Sequence, residues 1–426
     1  MPLARTGARI DPLASAVKED AGACKKKVSP RRPSFRWLTL CAGLLASWPL
    51  LEGGCGGIGG SNPSSDYTNV LIFTANAGSN DISMIHADPV SGQMKFLHKY
   101  PAGKHPSFIS TDGRDVFVSN QADNTISVFA ISTDGNSLSF VATVPTGTSP
   151  SSMSFAQGGG TLYVACGGSN EVRVYDVSGS GALKQKAVIP TGGSPTSVVD
   201  FFERNKEGRG SFYVTNFTSN SLTLGATLSD VPSLQKNSTV SEAGGPYFAT
   251  EVAGDLYTLD LSGNKMTVHH PITDSNGVPT GFDATKTKSY STGMGPVAMA
   301  GLYLFTAKQE FYVANRISKT IGLYQQTMSP SGQFSEVAPD TPASVDAGGT
   351  INDVTTIFRV ADDASLHGLV YTVNDEGSLR LYQLNQNLIP SFAQSIDTQG
   401  KNPTSIAVTN GSPLIIEDLA ISSFAP

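Results

Sequence analysis

The chain has 426 residues, 29 Lys+Arg against 35 Asp+Glu, and a net charge of −6. Nine of the basic but only four of the acidic residues fall in 1–54, so the remainder carries 20 basic and 31 acidic groups, a net of −11. An acidic body without a basic stripe excludes nucleic acid, whose binding rests on phosphate neutralisation. The 44 Gly and 25 Pro are spread along the chain and read as punctuation between many short strands, not as disorder.

At the start, Lys25, Lys26, Lys27, Arg31, Arg32 and Arg36 precede the apolar run Leu38 to Leu51, which is short for a bilayer-spanning helix. Then come Gly53, Gly54, Cys55 and a Gly/Ser-rich stretch to Ser65. This order resembles a bacterial lipoprotein leader, although Glu52 stands where such signals usually carry Leu. The resemblance implies cleavage before Cys55 and a lipid on its sulfur, anchoring the body to a membrane of the bacterial cell envelope, on its outer-membrane or periplasmic face. The expected division is a leader at 1–54, a tether at 55–66 and one folded domain at 67–426. That domain contains Cys166 alone of the four cysteines, so no internal disulfide supports it.

The body repeats. Phe73-Thr74-Ala75-Asn76 returns as Val118-Ser119-Asn120, Tyr163-Val164-Ala165-Cys166, Tyr213-Val214-Thr215-Asn216, Tyr257-Thr258-Leu259-Asp260, Tyr312-Val313-Ala314-Asn315 and Tyr371-Thr372-Val373-Asn374. An aliphatic residue or Met follows at six positions in six copies and at five in the last, as a hairpin of set loop length requires. A second element, Gly-x-x-Pro or a close variant, follows each hairpin: Gly103 to Pro106, Gly147 to Pro150, Gly192 to Pro195, Gly244-Gly245-Pro246, Gly293 to Pro296 and Gly400 to Pro403. The copy at Gly348–Asp353 lacks the proline. Gly permits the reversal, and Pro removes a donor where a strand begins.

Seven units of four strands predict an all-β, seven-bladed β-propeller with four-stranded antiparallel blades. The first unit lacks an inner strand, and 403–409 supplies a spare one, so the N- and C-terminal strands should close the ring in one blade. Residues 413–421 fall outside the repeat and are expected to add an outer strand or cover one end. Segments 271–291 and 325–347 interrupt units five and six and read as insertions.

The Tyr-Val-Thr-Asn and Tyr-Val-Ala-Asn units with their Gly-x-x-Pro turns resemble the YVTN-repeat propellers. The stretch Ser127–Leu138 resembles the lactonase branch, typified by propeller 6-phosphogluconolactonases. That resemblance implies the fold, and a lactone hydrolase as one function. A hydrolase needs a base and a cluster of donors. The channel mouth offers Lys104, His105, Ser151, Thr196, Tyr247, Asn352, Asp353, Asn402 and Thr404, mostly neutral groups. The Gly-Pro-Arg-His string associated with lactonase repeats stands here as Gly-Pro-Val-Ala and Gly-Pro-Tyr-Phe.

His105 and Asp353 are the candidates for a base, with Asp353 and Arg316 as candidate partners of each other. No cofactor or metal site is expected, and adjacent His269 and His270 face opposite sides of a strand. Cys166 reads as a buried thiol. The reading is a monomeric, lipid-anchored binding module for a protein, peptide or glycan; the alternative is a sugar-lactone hydrolase.

Overall fold

The computed structural model describes residues 70–409, apart from 89–90, 157–159, 202–210, 227–237, 243, 253, 276–278, 304–307, 328–335 and 361–365. The leader, Cys55, the tether and 413–421 lie outside the described residues. Among the described residues the chain is all-β, with seven four-stranded antiparallel sheets and one two-stranded sheet.

Six blades are each laid down from the innermost strand outward. Blade two shows the pattern, with Pro106–Thr111, Asp115–Asn120, Thr125–Ile131 and Leu138–Pro145 in spatial order. Blade one is composite: Met94–Pro101, Asp81–Ala87 and Val70–Asn76 are completed by Pro403–Thr409 on the inside. The closing pair runs antiparallel, with Leu71 opposite Thr409 and Ala75 opposite Ser405. The expected strand exchange is therefore present, and no blade is left with an unpaired inner strand.

Burial explains why the repeats read as they do. The second strands, such as Val70–Asn76, Asp115–Asn120 and Ser211–Asn216, are buried at every residue. Both faces of each blade are covered by neighbouring blades, so successive side chains must all be accommodated in an interior. The aromatic residue of each repeat (Phe73, Phe117, Tyr163, Tyr213, Tyr257, Tyr312, Tyr371) is at most 1% exposed. Alternate residues of one strand serve different interfaces: Ile72 packs toward blade seven with Ile357 and Tyr371, while Phe73 packs toward blade two with Ile109 and Val118. Outer strands meet solvent, and Leu138–Pro145 is largely exposed after its first residue.

The two interrupted units differ from expectation. In 271–291, only Pro271–Thr273 and Pro279–Phe282 are extra; they pair as a small hairpin, and Lys288–Ser291 is the blade's own outer strand. Phe282 stacks on Tyr213 and His269, so this hairpin is packed against blade four. In 325–347, Ala338–Asp346 is likewise the outer strand of blade six. A longer loop had been read as an insertion because the outer strand beyond it is polar and carries no repeat signature.

Candidate functional site

The hairpin turns and the turns leading into each blade share one face. Asn80, Asn124, Asn170, Asn220 and Asn264 sit at the hairpin turns with φ between 48° and 58°. Each side-chain oxygen accepts an N–H from the next lead-in turn: His105 (2.8 Å), Ser149 (2.8 Å), Ser194 (2.7 Å), Gly245 (3.0 Å) and Gly295 (2.8 Å). The receiving residues are themselves left-handed, His105, Ser149 and Ser194 at φ 54°. Asn is tolerated there because its short amide bonds locally. Blade six has Lys319 in the Asn place, and the turn it should hold is the one without proline.

The residue after each lead-in Pro was expected to line the channel for a ligand. Most of these side chains instead join neighbouring blades. Thr404 Oγ1 donates to the Pro106 carbonyl (2.9 Å), Ser107 Oγ to Pro150 (2.7 Å), Ser151 Oγ to Pro195 (2.9 Å) and Thr196 Oγ1 to Pro246 (3.4 Å). Asn352 Nδ2 donates to the Pro403 carbonyl (2.7 Å). These five clasps run round the inner ring and fasten five of its seven seams. At the other two seams the corresponding residue is Tyr247 or Val297, and no such bond is found among the described residues.

Asp353 is committed in the same way. Its Oδ1 accepts the Val354 N–H (2.8 Å), and its Oδ2 accepts Ser405 Oγ (3.1 Å) and the Ile406 N–H (3.0 Å). It fastens blade seven to the closing strand and does not pair with Arg316. Burial pushes its carboxyl up to about 6, against the lowering effect of these donors. Lys104 and His105 are exposed turn residues, and the Lys104 N–H is held by Asp123 Oδ2 at 2.7 Å. Asn402 is an exposed left-handed turn residue whose carbonyl accepts the Ala77 N–H.

The two unclasped seams coincide with a change in the turns. The two residues after the repeat Asn, Cys or Asp are Ala77-Gly78, Gln121-Ala122 and Gly167-Gly168 in blades one to three, but Phe217-Thr218, Leu261-Ser262, Arg316-Ile317 and Asp375-Glu376 in blades four to seven. Phe217 meets the edge of Tyr247 at 6.2 Å between ring centroids. Arg316 Nη2 lies 3.4 Å from Asp375 Oδ1, which also accepts Asn352 Nδ2 at 2.6 Å. Asn352 Oδ1 is buried and has no hydrogen-bond partner among the described residues. Burial pushes the Tyr247 hydroxyl up, with Arg316 lowering and Asp353 raising it, so both charges act on that ring. Met294 and Ile317 stand exposed alongside, at 53% and 64%. Sequence reading had marked Arg316, Tyr247 and Asn352 but missed Phe217, Met294, Ile317 and Asp375; the loss of small residues at these turn positions was the available signal.

Two further polar clusters are interior. In blade five Asp260 replaces the repeat Asn and pairs with Lys265 (3.0 Å), with Glu242, Thr258 and His269 beside it. Burial, then the neighbouring Glu242, pushes the Asp260 carboxyl up to about 6 although Lys265 opposes them. His270 pairs instead with Asp255. Cys166 is fully buried 3.6 Å from Thr146 Oγ1, and burial pushes its thiol up, which suits a packed thiol rather than a nucleophile. Among the described residues, no group of three or more His, Cys, Asp or Glu side chains could hold a metal ion.

Residues 108–200 match the family model described as lactonase, 7-bladed beta-propeller. No curated protein matches the chain. Among solved structures, a Bacteroides uniformis protein classed with the 6-phosphogluconolactonases is 15% identical, with a TM-score of 0.58 over 80% of this chain and 100% of its own. The periplasmic gluconolactonase of Pseudomonas aeruginosa is 16% identical, with a TM-score of 0.57 over 80% of this chain and 98% of its own. A protein from Lactobacillus plantarum is 14% identical, with a TM-score of 0.57 over 80% of this chain and 99% of its own. At such identities the likeness is one of fold. The chain is a seven-bladed β-propeller whose residues 108–200 match the lactonase propeller model.

Proposed function

We propose that this protein is a lipid-anchored envelope binding module, whose ligand docks on the turn face where the inner ring is unclasped. The observation that carries this reading is the distribution of uncommitted groups. Five seams spend a polar side chain on a neighbouring carbonyl, Asn352 among them, whereas the two seams that join blades five, six and seven have none among the described residues; there Arg316 lies near Tyr247 and its partner Phe217, with Ile317 and Met294 exposed in the adjoining turns. Aromatic and Arg side chains in an otherwise small, polar surface are what a recognition site requires. Among the described residues the sector presents no histidine, since His105 belongs to another blade; its Asp375 carboxylate faces Arg316 and accepts Asn352 Nδ2, and Asp353 has both oxygens bonded.

Strand Val70–Asn76 begins at the end of blade one opposite the turn face. Labelling of wild type with a radioactive fatty acid, against Cys55→Ser, tests the anchor.

The second reading, a sugar-lactone hydrolase, draws on the family match at 108–200 and on the gluconolactonase of like fold. Assay of the full chain against glucono-δ-lactone and its 6-phosphate separates the two. No turnover above background is expected; turnover that purified protein retains and heat-denatured protein loses would overturn the binding reading.

A further inference from the structure

Resting on the binding reading, we infer that the unclasped sector takes the free C-terminal carboxylate of a peptide ending in an apolar residue. The chemistry of the donors and acceptors points there. Among the described residues Arg316 contacts only Asp375, at 3.4 Å, which orients the guanidinium and leaves most of its N–H fork for a ligand. A planar fork matches a planar carboxylate bidentately, and a point charge such as Lys does not reproduce that match.

Beside the fork lies an acceptor with nothing to accept. Both Asn352 Nδ2 protons are used, on Pro403 and Asp375, which fixes the amide and leaves Oδ1 buried without a donor. A buried acceptor in that state is costly until a donor arrives. A peptide terminus brings a carboxylate for Arg316, and the N–H of its last residue serves Asn352 Oδ1 once the turn that seals that oxygen from solvent yields on binding.

The apolar wall supplies the third element. Phe217 crosses from the blade-four turn to the edge of Tyr247, and Met294 and Ile317 project from blade six. Gly245 and Gly295 make room for this wall, since a Cβ at either would lie 2.9 Å from the Phe217 ring or 2.8 Å from the Ile317 side chain. Aliphatic and aromatic side chains flanking an Arg fork suit a Leu or Phe side chain better than a hydroxyl-rich sugar.

The test is calorimetric titration of the full chain with N-acetyl-Ala-Ala-Leu as the free acid and as its C-terminal amide. The free acid is expected to bind, with the amide weaker by roughly tenfold or more. Arg316→Ala should weaken the free acid to the level of the amide, and Arg316→Lys should recover only part of the loss. Phe217→Ala should weaken both peptides alike. Thermal melts check that each variant is folded; Arg316 lies on the surface, so its variants should melt as wild type does. Equal binding of acid and amide, or an unchanged titration with Arg316→Ala, overturns the inference, as does no binding at millimolar peptide. Maltotriose is titrated in parallel. If it binds wild type but not Arg316→Ala or Phe217→Ala while the peptide does not bind, the carboxylate inference falls and the binding module stands.

Discussion

Replacing the clasping hydroxyls together should lower stability without touching ligand recognition. The variant is Ser107→Ala, Ser151→Ala, Thr196→Val and Thr404→Val, which keeps shape and removes four inter-blade donors bonded at 2.7, 2.9, 3.4 and 2.9 Å. A net hydrogen bond contributes about 1 kcal/mol, so the four amount to about 4 kcal/mol, less if the long Thr196 bond is weak. Unfolding entropy near 2.1 cal/mol/K per residue, over a span of roughly 340 residues, gives about 0.7 kcal/mol/K. The expected fall in Tm is therefore roughly 5 °C, measured by differential scanning calorimetry. The single variants should each shift Tm by about 1 °C and add, because each clasp fastens its own seam. A quadruple variant that melts with wild type would refute the structural role of these hydroxyls. So would one that loses ligand binding while Tm stays put.

Three other outcomes follow from particular residues. Asp115, Asp260 and Asp353 each have carboxyls pushed up to about 6 from 3.8, so the native state binds more protons than the unfolded chain between those values. Stability should fall as pH rises from about 4 to about 6, and Tm should be higher at pH 5 than at pH 7.5; Asp260→Asn with Lys265→Thr, which restores the neutral pattern of blade two, should flatten part of that slope. Gly245→Ala forces a side chain into φ 71° and against the Phe217 ring, costing about 1–3 kcal/mol and weakening any ligand that rests on Phe217, as calorimetry and titration would show. Ending the chain after residue 402 removes the closing strand, and loss of Ile406, Ala407 and the Thr404 clasp alone costs about 4–5 kcal/mol. A synthetic 403–409 peptide added in trans should restore part of the lost Tm, and no recovery would count against closure by strand exchange.

The fold was legible because its cause is periodic. An aromatic residue three places before Asn, a turn of fixed length and a Gly-x-x-Pro reversal recur whenever a blade must bury both faces. The closing exchange was legible for the same reason, since Val70–Asn76 lacks an inner neighbour in sequence and Pro403–Thr409 lacks an outer one. The site was only partly legible. Thr404, Ser151 and Asn352 were rightly placed by the repeat, but whether a hydroxyl faces a ligand or the next blade's carbonyl depends on how adjacent blades abut, and spacing within one blade carries no such information. Asp353 reads as an acid until its three donors are seen, two of them from residues some fifty positions away in the chain. Phe217 and Ile317 pass in sequence as ordinary turn residues. Their meaning appears only by comparison across blades, where the same places hold Ala, Gln or Gly.

The claim that recognition is confined to the unclasped sector is tested most directly by hydrogen–deuterium exchange on the full chain, with and without saturating N-acetyl-Ala-Ala-Leu. Added protection is expected in the turns 217–220, 294–297, 316–319 and 350–353, and none in the matching turns of blades one to three. Protection spread evenly round the ring, or centred on Lys104 and His105, would contradict it.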